Sequence, residues 1–137
     1  MSSMITVQTS VNADVKKVWD SFNNPDHIVK WNQPSPDWHS VSSKNDLRAG
    51  GAFSTRMEAK DGSMGFDFAG IYDVVEENKY IEYTLGDGRK VNVHFSQDGE
   101  NTKVVESFDP ENINPAEMQQ AGWQAILDSF KKYTESL

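Results

Sequence analysis

Apolar residues change their spacing twice along the chain, from helical to alternating and back to helical. Met4 to Thr9 is short and rich in β-branched residues, which predicts a first strand, and Asn12 offers a side-chain cap just after it. Val15, Val18, Trp19 and Phe22 then fall at i, i+3, i+4 and i+7, one stripe of a helix whose other positions carry Asp14, Lys16, Lys17 and Asp20. Asn23, Asn24 and Pro25 end that helix, and Asp26 can cap a second short turn carrying Ile28, Val29 and Trp31. Gln33-Pro34-Ser35-Pro36-Asp37 breaks regular structure and predicts a loop.

From Trp38 the punctuation becomes that of hairpins. Gly50-Gly51, Asp61-Gly62, Gly86-Asp87-Gly88 and Asp98-Gly99 separate β-type runs, which predicts a meander of antiparallel neighbours. The runs are Trp38 to Asn45, Ala52 to Ala59, Phe66 to Val75, Tyr80 to Leu85, Val91 to Phe95 and Thr102 to Phe108. Val91, Val93 and Phe95 alternate with Asn92, His94 and Ser96, so one face of that strand is buried; Phe66, Phe68 and Tyr72 likewise share a face.

Helical spacing returns at the end. Asn114 reads as a cap, Pro115 as the first helical residue and Glu117 as an acid able to return a hydrogen bond. Trp123, Ile126, Leu127, Phe130, Tyr133 and Leu137 follow on one side of a long helix, and the sheet is the only surface available to cover them.

Composition narrows the function classes. The 137 residues suit one domain spanning 1–137, and 4 Trp, 7 Phe and 4 Tyr supply bulky core material. A net charge of −8 repels phosphate backbones, so nucleic acid is not an expected partner. With no Cys there are no disulfides or thiolate metal sites, and a cytoplasmic home is expected over a disulfide-dependent secreted one. Met1 to Val11 lacks the layout of a signal peptide, and no apolar run is long enough for a membrane span. Neither a phosphate-cradling Gly loop, a dinucleotide fingerprint nor a Gly-x-Ser-x-Gly elbow occurs, so no cofactor is expected.

A strand, two small helices, a run of strands and a long terminal helix is an order that resembles the START-like superfamily, also called SRPBCC or helix-grip proteins. The segments Val18-Trp19-Asp20, Asp46-Leu47-Arg48-Ala49-Gly50-Gly51-Ala52-Phe53 and Gly122-Trp123-Gln124-Ala125-Ile126-Leu127-Asp128-Ser129-Phe130 resemble its AHSA-type branch, named for homologues of the heat-shock chaperone ATPase activator's C-terminal domain. The likeness implies an α+β fold, a curved antiparallel sheet wrapped around a long C-terminal helix, with an apolar ligand cavity between them. The eukaryotic activator has a further N-terminal domain that grips the chaperone; this chain opens almost directly on its first strand, so direct chaperone activation is not expected. Within these segments Trp19 reads as the anchor of the first helix, Gly50-Gly51 as a tight strand entry and Gly122 as a point of close approach by the terminal helix.

The candidate cavity residues are Trp31, Trp38, Phe53, Phe66, Phe68, Tyr83, Trp123 and Phe130, against the alternative that they form a solid core. Glu106 and His94 are the weak catalytic candidates. Strict alternation puts Glu106 on the face of Val104 and Phe108, where an unpaired carboxylate is costly. His94 lies in antiphase with Val91, Val93 and Phe95 and is better read as a surface residue than as a proton carrier. His27 and His39 lack metal-ligand spacing, so no metal is expected, and the acidic group Asp73, Glu76 and Glu77 reads as a solvated strand end. The leading expectation is a non-catalytic domain that binds an apolar or aromatic small molecule. Its rivals are a cyclase- or dehydratase-type enzyme using the same cavity and a chaperone-linked interaction domain, the latter marked by an exposed apolar patch.

Overall fold

Alternation along each strand sorts the residues into an apolar inner face and a polar outer face of one sheet. The computed structural model describes residues 4–33 and 35–137; Pro34, within the expected loop, lies outside the described residues. In chain order the elements are β1 (Ile5–Val11), α1 (Val15–Asn23), α2 (Pro25–Trp31), β2 (Trp38–Asn45), β3 (Ala52–Ala59), β4 (Gly65–Glu76), β5 (Tyr80–Leu85), β6 (Lys90–Asp98), β7 (Asn101–Phe108) and α3 (Ala116–Glu135). The strands make one antiparallel sheet in the order β1-β7-β6-β5-β4-β3-β2, so a six-strand meander is closed at one edge by the first strand. Register slips at Ser40/Ser42 in edge strand β2 and at Tyr72/Val74 in the interior strand β4 add local bends. The sheet curls, and α3 lies in the curl.

Gly50, Gly62, Gly88 and Gly99 all take positive φ in the expected turns. Gly51 answers to close approach instead, since a Cβ there would sit 2.0 Å from the Asp46 carbonyl oxygen. Inward residues alternate as the pattern requires: Ile81, Tyr83 and Leu85 on β5, Val91, Val93 and Phe95 on β6, and Thr102, Val104, Glu106 and Phe108 on β7 are all buried. Trp19 of α1 is buried edge-on against Phe95, centroids 5.2 Å apart.

The helix starts differ from expectation. Asp14, not Asn12, caps α1 by accepting from the Lys17 amide at 2.9 Å, and Asn24, not Asp26, caps α2, with Pro25 opening the helix. Ahead of α3, Pro115 rather than Asn114 is the capping residue and offers no side-chain bond. The loop before it is ordered by other groups. The Glu111 carboxylate accepts from the Asn114 amide at 2.8 Å, and the buried Gln119 amide donates to the carbonyls of Glu111 and Asn114. A short-range cap rule misses this because Gln119 acts from inside the helix.

Candidate functional site

Between the inner face of the sheet and the first half of α3 lies a cavity of about 380 Å³. Phe53 and Phe68 of β3 and β4, Tyr83 of β5, and Trp123 and Leu127 of α3 stand in its wall; Phe22 and Trp31, from the α1–α2 end, line it as well. The rings hold one another by edge contacts: Phe53 meets Tyr83 at 4.8 Å and 75°, and Phe68 meets Trp123 at 6.1 Å and 73°. Trp123 is fixed from behind, stacked on Phe108 at 3.9 Å and 10°. Phe66 and Met118 also border the cavity and are largely exposed, which puts its mouth between the start of β4 and the first turns of α3.

Polar side chains also reach the lining, and several are already committed to protein partners. Asn23 donates to the Trp19 carbonyl at 2.9 Å, Thr55 bonds Ser43 at 3.0 Å, and the Tyr72 hydroxyl donates to Asn45 at 2.6 Å. Arg89, at the rim, donates to Asp87 at 2.7 Å. Among the described residues, Glu106 and the Tyr83 hydroxyl have no hydrogen-bond partner and no ion pair, and the Asn32 amide side chain has none either.

Glu106 stands in β7 opposite Val7 of β1 on one side and Val93 of β6 on the other, with only 7% of its surface exposed. Desolvation disfavours the charged carboxylate and pushes its pKa up to about 8. At neutral pH it is therefore mainly a neutral acid, carrying one O–H donor and one carbonyl acceptor. Burial likewise drives the Tyr83 hydroxyl well above its ordinary range, with the Glu106 charge adding to the effect.

Six of the eight aromatic residues picked out by sequence (Trp31, Phe53, Phe66, Phe68, Tyr83 and Trp123) border this cavity. Trp38 and Phe130 do not. Trp38 leans on Phe66 at 5.8 Å from edge strand β2, and Phe130 is fully buried behind the wall, edge-on to Trp31 at 5.0 Å. His94 is exposed on the outer face, its ring 4.6 Å from that of Tyr80, and cannot serve the cavity. Charged side chains on β3 and β4 pair with one another: Arg56 donates to Glu58 at 3.0 Å and lies 3.6 Å from Asp67.

Gly122 corrects a sequence reading. No atom stands within 4 Å of where its Cβ would be, so it does not mark a close approach; it borders the cavity, and a side chain there would face open space. Sequence reasoning also left out Phe22 and Leu127 as lining, although both belong to helical stripes that it recognised. No group of three or more His, Cys, Asp or Glu suited to a metal occurs among the described residues, and none of their helices is long and apolar enough to cross a membrane.

A curled antiparallel sheet gripping a long C-terminal helix, with two short helices after the first strand, defines a START-like helix-grip protein. Within that class the chain belongs to the family described as activator of Hsp90 ATPase homolog 1-like protein, whose pattern matches residues 12–135. The solution structure of an AHSA1-like protein from Aeromonas hydrophila is 42% identical, superposes with a TM-score of 0.92, and covers 98% of this chain and 93% of its own. A protein from Cytophaga hutchinsonii is 59% identical, with a TM-score of 0.85 over 97% of this chain and 92% of its own. A crystal structure from Chromobacterium violaceum, 20% identical, matches in fold with a TM-score of 0.87 over 97% of this chain and 98% of its own. No curated protein matches the sequence.

Proposed function

We propose that this chain is a non-catalytic binding domain for a small, flat, apolar or aromatic molecule held between the sheet and α3. The observation that carries the reading is a cavity of about 380 Å³ with aromatic walls, into which Glu106 brings a carboxyl that no protein group satisfies. That volume lies within the roughly 300–1,000 Å³ typical of small-molecule sites, which are mostly apolar with a few placed polar groups. Gly122 supports it too, because a glycine inside a helix costs about 1 kcal/mol relative to Ala and here leaves space open over the cavity.

The test is titration of the isotope-labelled protein with flavonoids, fatty acids, sterols and polyketide-like aromatics, following the Trp123 indole and the Gly122 amide by NMR. Saturable shifts at both, with a raised melting temperature, are the expected result. No response across the panel would defeat the reading and turn the search to protein partners.

The unpartnered acid also favours a second reading, an enzyme of the cyclase or dehydratase type in which Glu106 hands a proton to a bound substrate. Turnover of a bound compound that vanishes in Glu106→Gln while binding persists would select it over simple binding.

A further inference from the structure

Glu106 and Tyr83 stand on the same face of the sheet, two strands apart. In the register of β5, β6 and β7, Tyr83 is opposite Val91 and Glu106 is opposite Val93, so one strand and two residues separate them. That places their backbones roughly 12 Å apart diagonally across the sheet, a distance two long side chains can narrow around a guest. Both polar tips lack partners among the described residues, and both residues line the cavity.

A guest that enters the chamber displaces solvent from beside these two groups, and leaving either one unpaired is then costly, so the chamber selects a guest that supplies the partner. We propose that the guest carries a neutral hydrogen-bond acceptor, a ketone-type carbonyl on a flat apolar frame, gripped by the Glu106 and Tyr83 hydroxyls from β7 and β5. The inference rests on the cavity being a ligand site, and it adds the chemistry of the ligand.

Two observations set the acceptor above a cationic guest. An ammonium is best held by an ionised carboxylate, and the lining offers it only Glu106, whose burial disfavours the charged form, among rings, aliphatic side chains and neutral amides and hydroxyls such as Asn32 and Tyr83. Apart from Glu106 itself, the charged side chain on the lining is Arg89, which is a cation. The protonation of Glu106 fits a donor role. Desolvation holds its pKa at about 8, and the groups around it do little to offset this: β1 and β6 present Val7 and Val93, α3 presents Gln119, Trp123 and Leu127 to the same chamber, Tyr83 and Tyr72 are neutral, and Arg89 is engaged by Asp87.

The experiment compares three probes of one shape: fluorene, 9-fluorenone and 9-aminofluorene, by calorimetry and NMR, at about pH 6 and about pH 9. The expected result is fluorenone bound about tenfold more tightly than fluorene near pH 6, with most of that preference lost near pH 9 as Glu106 ionises. Glu106→Gln, whose amide still donates, keeps the preference at both pH values. Glu106→Leu binds fluorene and fluorenone alike, and its retained fluorene binding shows that it folds. Tyr83→Phe loses part of the preference.

Equal binding of fluorene and fluorenone by the wild type overturns the carbonyl grip while leaving the cavity reading intact. A preference that does not change with pH, or survives Glu106→Leu, overturns the role of Glu106. Tighter binding of 9-aminofluorene marks the site as a cation site and also overturns the proposal. Binding of none of the three overturns it together with the reading it rests on.

Discussion

At the end of the groove under α1 and α2, Trp19, Phe22, Trp31, Phe95 and Phe130 interlock with neighbouring centroids 5.0 to 5.3 Å apart, edge to face except for the tilted pair Phe22 and Trp31. At the other end Phe53, Phe68, Tyr83 and Trp123 meet through the same kind of contact, yet they surround about 380 Å³ of space. The residue types are alike, so aromatic content does not decide which end is solid. The cover decides it. Two helices put Phe22 and Trp31 over the first end, whereas α3 passes over the second with Gly122 turned toward it.

The largest expected effect breaks the solid end. Phe130 is fully buried, and Phe130→Ala should cost about 3–5 kcal/mol by removing both burial and the contacts that fill the space. Phe68, half-buried on the wall of a void that already exists, should cost about half as much when changed to Ala, because little new cavity is created. Urea unfolding of the two variants side by side measures the contrast. Equal losses would mean that the open end is closed in solution.

The next effect belongs to Glu106 and carries a definite sign. In the unfolded chain its carboxyl loses its proton near pH 4.5; in the folded chain it keeps it until about pH 8. Between those values the native state holds the extra proton, so this group's contribution to stability is greatest on the acid side and declines as pH rises, levelling off above about pH 8. The full decline is on the order of 5 kcal/mol. The carboxylates with lowered pKa, Asp61, Asp87 and Glu135, act oppositely but below this window. Subtracting the pH–stability curve of Glu106→Gln from that of the wild type isolates the slope, and a flat difference between about pH 5 and 8 would show that water or a protein group reaches the carboxyl.

The contrast between the two ends also marks where the sequence could be read. Strand runs such as Tyr80 to Leu85 were legible because alternation and turn glycines report a local geometry, and Glu106 stood out because its position in that alternation was wrong for a charge. Phe130 and Trp38 could not be told from lining residues. One sits a turn too far along α3 and the other on an edge strand, and both facts depend on how helix and sheet cross. Gly122 was legible as unusual but not in its meaning, since close approach and open space both favour a missing Cβ and only the surrounding atoms separate them.

Gly122 therefore supplies the smallest and sharpest test. Replacing it with Ala adds helix propensity and meets no atom within 4 Å, so Gly122→Ala should raise stability by just under about 1 kcal/mol, read as a small increase in the urea midpoint at unchanged slope. At the packed end the same gain is unavailable, because a methyl group added among Phe22, Trp31 and Phe130 would have to displace rings already in contact. Gly122→Leu, reaching further into the space, should remain folded and exclude the aromatic probes. A loss of stability in Gly122→Ala would place atoms where the void now stands. A gain would mean that the helix is steadier with a side chain at this position, and that what the glycine preserves is room beside Trp123 and across from Glu106.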